Sequence, residues 1–200
     1  MATISLSKTM VILPYTGGTE TITITVDGST LSSFSITEGS FLTFTQYESS
    51  FNMVVGSNPN TNSERFAVPK IVVNAADGTT VTIPIYVFQK TQNITIADDS
   101  REKEFQANEK TGYYYLISDK TYVSATYTRV FGDISITNFR YDVSSNGCGV
   151  YFTMADNETN TVQSSVFAVT CNDGTGGSNQ YDTAFVVANK NGTQGSITIS

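Results

Sequence analysis

The sequence predicts an all-β chain, two β-sandwich domains in tandem with very little helix. Three observations carry that prediction. The segment Thr19-Glu20-Thr21-Ile22-Thr23-Ile24-Thr25-Val26 alternates strictly. Alternation places Ile22, Ile24 and Val26 on one face of a strand and the threonines on the other. The dipeptides Asp27-Gly28, Asp77-Gly78, Asn146-Gly147, Asp173-Gly174 and Asn191-Gly192 punctuate the chain with tight-turn chemistry. No stretch sustains an apolar period of 3.6 residues, so no segment offers a helix a face to bury.

In order along the first half, strands are expected near 9–14, 19–26, 32–37, 41–46, 51–55, 66–74 and 79–89. Seven strands in about 90 residues is the count of an immunoglobulin-like sandwich. A boundary near Thr91-Gln92 divides the chain into domains at 1–91 and 92–200. Beyond it lies Asp98-Asp99-Ser100-Arg101-Glu102-Lys103-Glu104, the densest charge run. Asp99 with Glu102 has the spacing of a capping box. A hairpin is preferred, with Lys103 to Ala107 turning through Asn108-Glu109-Lys110-Thr111-Gly112 into 113–118, because Phe105 alone gives a helix little to bury. Further strands are expected near 92–97, 113–118, 121–128, 131–143, 148–154, 164–171, 181–188 and 194–199. They make a second immunoglobulin-like sandwich that is no evident copy of the first. The Gly17-Gly18 opening and the Gln-terminated last strand do not recur.

Composition narrows the function classes. Of 200 residues, 39% are hydrophobic and 12% aromatic, enough for a core and against disorder. Only 14% are charged, and Thr, Ser and Asn make up about a third of the chain. That balance is common in extracellular adhesins and in viral coat and fibre proteins. The net charge of −7 and a pI near 4.4 disfavour nucleic acid, and the eleven Lys and Arg form no basic stripe. A polybasic membrane patch and a membrane-length apolar run are both missing from the sequence. The first residues, Met1-Ala2-Thr3-Ile4-Ser5-Leu6-Ser7-Lys8, lack the basic and apolar regions of a signal peptide. The expectation is that a signal was removed or that the chain is made without crossing a membrane.

The first domain resembles the BACON module, an immunoglobulin-like domain frequent in Bacteroidetes proteins and in phages of gut Bacteroidetes. The resemblance runs from Lys8 to Gln89. Its carriers are Pro14-Tyr15-Thr16-Gly17-Gly18 leading into the alternating strand, Ser40-Phe41-Leu42-Thr43-Phe44, Asn62 followed by Arg65, Ile71-Val72-Val73, and Ile83 to Gln89. Such modules usually end in a strand closing on Gln. They also usually carry a Trp in the middle region, which this chain lacks, and Phe34 or Phe41 is expected to fill that volume. The resemblance implies carbohydrate binding, an implication weakened by the missing indole platform.

Candidate chemistry is sparse. The chain has no histidine, which removes His-based triads and His metal sites. Gly174-Thr175-Gly176-Gly177 lacks the lysine and helix of a phosphate loop and reads as a hairpin loop. The acids offer chance carboxylate pairs but no cleft to put them in. Asp98, Asp99 and Glu102, or Asp156-Asn157-Glu158, supply oxygen ligands without a calcium-loop spacing, so they read as turn formers. Neither a cofactor nor a metal is expected, and the chain is not read as an enzyme. The sequons at Asn93, Asn157 and Asn191 are expected by chance in so Asn- and Thr-rich a chain. If 148–154 and 164–171 form a hairpin, Cys148 falls opposite Cys171. A bridge between directly opposed strand neighbours is strained, so reduced buried thiols are expected.

Tyr113-Tyr114-Tyr115, with Tyr122 and Tyr127, is the densest aromatic cluster and the candidate interaction surface. Alternation sends Tyr113 and Tyr115 to one face and Tyr114 to the other, one set core and one set contact surface. The expected function is non-enzymatic: a structural protein of a bacteriophage virion, as capsid decoration, head-fibre or tail-associated component. Its partners would be other virion proteins, in multiple copies, with cell-surface glycans as a further ligand class. The alternative is a secreted carbohydrate-binding module of a Bacteroidetes polysaccharide-utilisation system.

Overall fold

The computed structural model describes residues 1–37, 39–92, 94–96, 102–105, 111–118, 121–144, 147–155, 163–174 and 180–189. Every regular element among them is a strand. The chain divides into two compact units. One comprises Met1–Pro59 with Arg65–Gln89, the other Asn60–Glu64 with Lys90–Ile197.

In the first unit, β1 (Thr3–Leu6), β3 (Gly18–Asp27), β6 (Ser50–Val55) and β5 (Leu42–Gln46) form one sheet in the order β1-β3-β6-β5. The facing sheet is built from β4 (Leu31–Ile36), β8 (Lys70–Ala75) and β9 (Thr80–Pro84), and from β2 (Met10–Leu13), β10 (Tyr86–Gln89) and β7 (Arg65–Ala67). These two groups are one continuous hairpin interrupted by proline. The pairs Lys70↔Pro84 and Val87↔Ala67 keep the same register, and Ile85 N donates to Pro69 O at 2.9 Å between them. Pro69 and Pro84 have no N–H to give the ladder, which breaks the regular pattern without ending the sheet. β2 runs parallel to β10. Four strands in this order against a sheet closed by a parallel first-strand segment make an immunoglobulin-like sandwich.

Burial follows the alternation. Ile22 and Ile24 are buried and Thr21, Thr23 and Thr25 exposed. Leu6, Ile22, Phe51 and Met53 from one sheet meet Val11, Ile71, Val73, Ile85 and Val87 from the other. The expected occupant of the central volume needs correction. Phe51 fills it, completely buried, with the rings of Phe34 and Phe44 at 6.1 and 6.0 Å. Phe34, on the edge strand β4, and Phe41, just before the edge strand β5, are only partly buried against this cluster. Strand β1 was not expected from the sequence. It pairs with β3 through Ile4↔Val26 and Leu6↔Ile24.

The second unit has two four-stranded sheets. One contains β11 (Ile94–Ile96), β13 (Thr111–Ser118), β16 (Gly147–Met154) and β15 (Ile136–Ser144), in the order β11-β13-β16-β15. The other contains β12 (Glu102–Phe105), β18 (Gln180–Asn189), β17 (Gln163–Asn172) and β14 (Ser124–Gly132), in the order β12-β18-β17-β14, with β12 parallel to β18. This is the topology of the first unit, reached with a different sequence. Its core joins Cys148, Val150, Phe152 and Met154 on one sheet to Ala125, Phe167, Val169 and Cys171 on the other.

Two expected hairpins are corrected here. Glu102–Phe105 does not turn back onto Tyr113–Ser118; it pairs with β18, while β13 pairs with β11 and β16. Likewise β16 and β17 are not hairpin partners. They lie in different sheets, because both are buried on the face turned toward the other. The strand expected at 194–199, the segments Asp98–Ser100, Asn108–Lys110 and Asp156–Glu158, and the loop from Thr175 to Gly177 lie outside the described residues.

Candidate functional site

The residues that carried the resemblance in the first unit converge on one buried polar cluster. Gln89 is completely enclosed. Its Nε2 donates to Gly56 O at 2.7 Å, Tyr15 O at 3.2 Å and Pro14 O at 3.4 Å. Its Oε1 accepts from Arg65 Nε at 3.0 Å and from Arg65 Nη2. Arg65 Nη2 also donates to Gly56 O at 3.2 Å and Ser57 O at 3.1 Å, and the guanidinium lies 4.5 Å from the centre of the Phe41 ring. Gly17 makes the turn that delivers these carbonyls. Its φ is +83°, and a Cβ there would stand 2.2 Å from Val55 O. Every polar atom of Gln89 is used internally. The cluster ties the β2–β3 turn and the chain after β6 to the ends of β7 and β10, and its role is architectural.

The second unit presents a different arrangement on the outward face of the β11-β13-β16-β15 sheet. Register places Tyr113 opposite Tyr151, Tyr115 opposite Gly149, and Arg140 on the far side of Tyr151. The Tyr113 and Tyr151 rings stack with centroids 4.6 Å apart and a 40° tilt. The Arg140 guanidinium lies 4.3 Å over Tyr151. Gly149 makes room for this stack. A Cβ there would meet Tyr113 Cε2 at 3.1 Å and Oη at 3.3 Å, so the phenol ring lies where a side chain would stand. A depression of about 240 Å³ adjoins the stack, lined by Thr111, Asn138, Arg140, Tyr151, Phe152 and Thr153.

Chemically this is a row of aromatic faces and hydroxyls with one cation. Arg140 is exposed and has no ion pair among the described residues. Desolvation raises the Tyr113 hydroxyl above its usual 10.0, helped by Tyr151, Tyr115 and Asp142. Tyr113 therefore stays a neutral donor across the physiological range. Nothing in the row forms a nucleophile–base pair. Among the described residues, no group of three or more Cys, Asp or Glu side chains could hold a metal ion.

The tyrosines named from sequence separate accordingly. Tyr113 is 40% exposed and Tyr115 is half-buried. Tyr114 registers with Val150, and its side chain lies outside what is described. Tyr122 is corrected to the core at 1% exposure. Tyr127 is corrected to a half-buried core wall, its ring 4.7 Å from Phe139 and 6.2 Å from Phe167. Tyr151 and Arg140 were not singled out from the sequence. The signal available was Gly149, an interior strand glycine two residues before Tyr151.

No protein-family model matches the chain, and no curated protein sequence matches it. Among solved structures it is similar to the D00-D0 domain of intimin, at 10% identity and a TM-score of 0.39, covering 92% of this chain and 99% of that one. It is also similar to the titin Ig tandem domains A164-A165, at 7% identity and a TM-score of 0.32, covering 94% and 97%. A protein of unknown function from Porphyromonas gingivalis W83 aligns at 10% identity and a TM-score of 0.36, covering 94% and 99%. The strand pairing described above, not these likenesses, carries the fold assignment. Among the described residues, no helix is long and apolar enough to cross a membrane.

Proposed function

We propose that the chain is a non-enzymatic docking protein whose contact surface is the Arg140–Tyr151–Tyr113 row on the outward face of the second unit. The observation that carries this reading is the stack itself, held over Gly149 in one arrangement. Tyr and Arg with restrained rings lose little side-chain freedom on contact, which is why such residues are enriched at the energetic centres of interfaces. The first unit, internally saturated around Gln89 and Arg65, serves as spacer or anchor.

Within that reading we favour a structural protein of a bacteriophage virion, as decoration, head-fibre or tail-associated component in multiple copies. The BACON-like motif residues, the low charge and the hydroxyl-rich strands support it. The test is mass spectrometry of gradient-purified particles from a phage encoding the chain. Stoichiometric presence is expected for the wild type, with loss of incorporation for Tyr113→Ala combined with Arg140→Ala at unchanged melting temperature. Full incorporation of that double variant would remove the docking surface from consideration, and absence of the wild type from particles would remove the virion reading.

One observation favours a second reading, the secreted carbohydrate-binding module. The depression of about 240 Å³ beside Tyr151 combines the polar side chains of Thr111, Asn138, Arg140 and Thr153 with the aromatic Tyr151 and Phe152, a mix suited to a sugar ring. Glycan-array binding that falls on Tyr151→Ala would select this reading, and a flat array would set it aside.

A further inference from the structure

Cys148 and Cys171 are the chain's two cysteines, and both are completely enclosed in the core of the second unit. They sit on β16 and β17, strands of opposite sheets. The Cys171 thiol hydrogen-bonds to Cys148 and holds the Cys148 thiol below its ordinary value of 9.0. Cys148 Sγ donates onward to Gly149 O at 3.6 Å. Both side chains belong to one buried cluster between the facing sheets.

A bridge is strained between directly opposed neighbours in one sheet, and Cys148 and Cys171 are not such neighbours. The register partners of Cys148 are Leu116 and Val143, and those of Cys171 are Ala125 and Tyr181. A cross-sheet pair can meet the dihedral preference of a disulfide without bending a ladder.

We propose that Cys148 and Cys171 form a folding-coupled dithiol that closes to an inter-sheet disulfide when the chain folds in the presence of a small-molecule disulfide. One cysteine thiolate attacks the oxidant's S–S bond, expelling one thiolate and leaving a mixed disulfide. The second cysteine thiolate attacks the protein sulfur of that mixed disulfide and expels the other half of the oxidant. Two protein S–H bonds and one oxidant S–S bond are lost. One protein S–S bond and two small-molecule S–H bonds are formed, and two electrons pass from protein to oxidant. Enclosure of both sulfurs confines the exchange to the unfolded or opening chain. Once folded, either redox form is shielded.

The test is refolding of the full chain from denaturant in a buffer of oxidised and reduced glutathione, with alkylation of free thiols under denaturing conditions. The expected product is monomeric, takes up no alkyl group and is lighter than the reduced chain by about 2 Da, the two hydrogens lost on bridging. The reduced protein, already folded, keeps both thiols in the same buffer. Cys148→Ala, carried through the same protocol, shows no such mass loss. Double alkylation of the refolded wild type, stable glutathione adducts, or disulfide-linked dimers as the main product would overturn the proposal.

Discussion

Replacing Gln89 by Met tests whether the buried cluster of the first unit is held by hydrogen bonds or by volume. Met has about the length and bulk of Gln, so the core stays filled and the change isolates the polar groups. The three carbonyls below Gln89 each keep a second donor. Pro14 O still accepts from Gly17 N at 3.0 Å, Tyr15 O from Asn58 N at 2.7 Å, and Gly56 O from Arg65 Nη2 at 3.2 Å. The serious loss is at Arg65, whose Nε and Nη2 both donate to Gln89 Oε1. A hydrogen bond to a charged group contributes about 1.5–3 kcal/mol, and the carbonyls lose weaker second bonds, so the expected destabilisation is about 3 kcal/mol. In a unit of this size that lowers the melting temperature by roughly 12–24 °C. Calorimetry of the full chain, with urea titration followed by circular dichroism, reads the shift. Gln89→Glu discriminates further. It keeps an acceptor for Arg65 but turns a carboxylate onto three carbonyl oxygens, so it too destabilises. A Gln89→Met protein within about 0.5 kcal/mol of wild type would refute the argument, since that is the range of a surface change.

Three other outcomes follow from the geometry. Gly149→Val drives the Tyr113 ring off its seat, costs about 1–2 kcal/mol by overpacking, and lets the Tyr113 hydroxyl relax toward its ordinary value of 10.0. Tyrosine-labelled NMR titration checks this, and an unchanged Tyr113 titration counts against the stack. Asp77 is held below its ordinary 3.8 first by the backbone hydrogen bond from Thr79, and also by the one from Ala2. Because the folded value is the lower one, its contribution is present above 3.8 and is lost as pH falls through the folded value. Asp77→Asn should therefore lower stability slightly at neutral pH, leave it nearly unchanged below the folded value, and so flatten the acid limb of the stability profile. The Cys148–Cys171 bridge closes a loop of roughly two dozen residues and should stabilise the second unit by about 3 kcal/mol on the chain-entropy account, measured as the difference between oxidised and reduced urea midpoints.

What was legible in the sequence was whatever local physics encodes. Ile22 and Ile24 alternate with threonine because one face of β3 is buried, and that pattern needs no partner to be read. Strand β1 was missed because a four-residue edge strand carries too few alternations to stand out. The pairing of β16 was misread for a different reason. A strand, a run of Asp, Asn and Glu, and another strand look the same whether the chain turns back within a sheet or crosses to the facing one. Only non-local burial decides, here through Cys148 and Cys171 meeting in the core. The tyrosine run was visible, but Tyr127 faces the core from β14, Tyr122 is buried just before that strand, and Tyr113 faces outward from β13. That depends on registers such as Tyr113↔Tyr151 and Tyr127↔Val169, which no single strand reveals.

The two units also allow a comparison at matched positions, since β3 and β6 in one occupy the places of β13 and β16 in the other. On the outward face of the first pair, Thr21 Oγ1 donates to Asn52 Oδ1 at 2.8 Å and Asn52 Nδ2 donates to Tyr47 at 3.4 Å. Small hydroxyls and amides there bond to one another and to Tyr47, which with Val54 is exposed in this unit, but no ring there is stacked on another or seated over a glycine among the described residues. On the outward face of the second pair stand Gly149, Tyr113 and Tyr151. Glycine weakens a strand interior, so its presence in β16 is a cost that the phenol ring covering it offsets. A sheet needed only as scaffold gains nothing from that exchange, because threonine in place of Gly149 would pair and pack without it. The exchange is understandable if the ring's position, rather than the strand's stability, is what the surface requires. That exchange is what supports the proposed docking surface on the second unit rather than on the first.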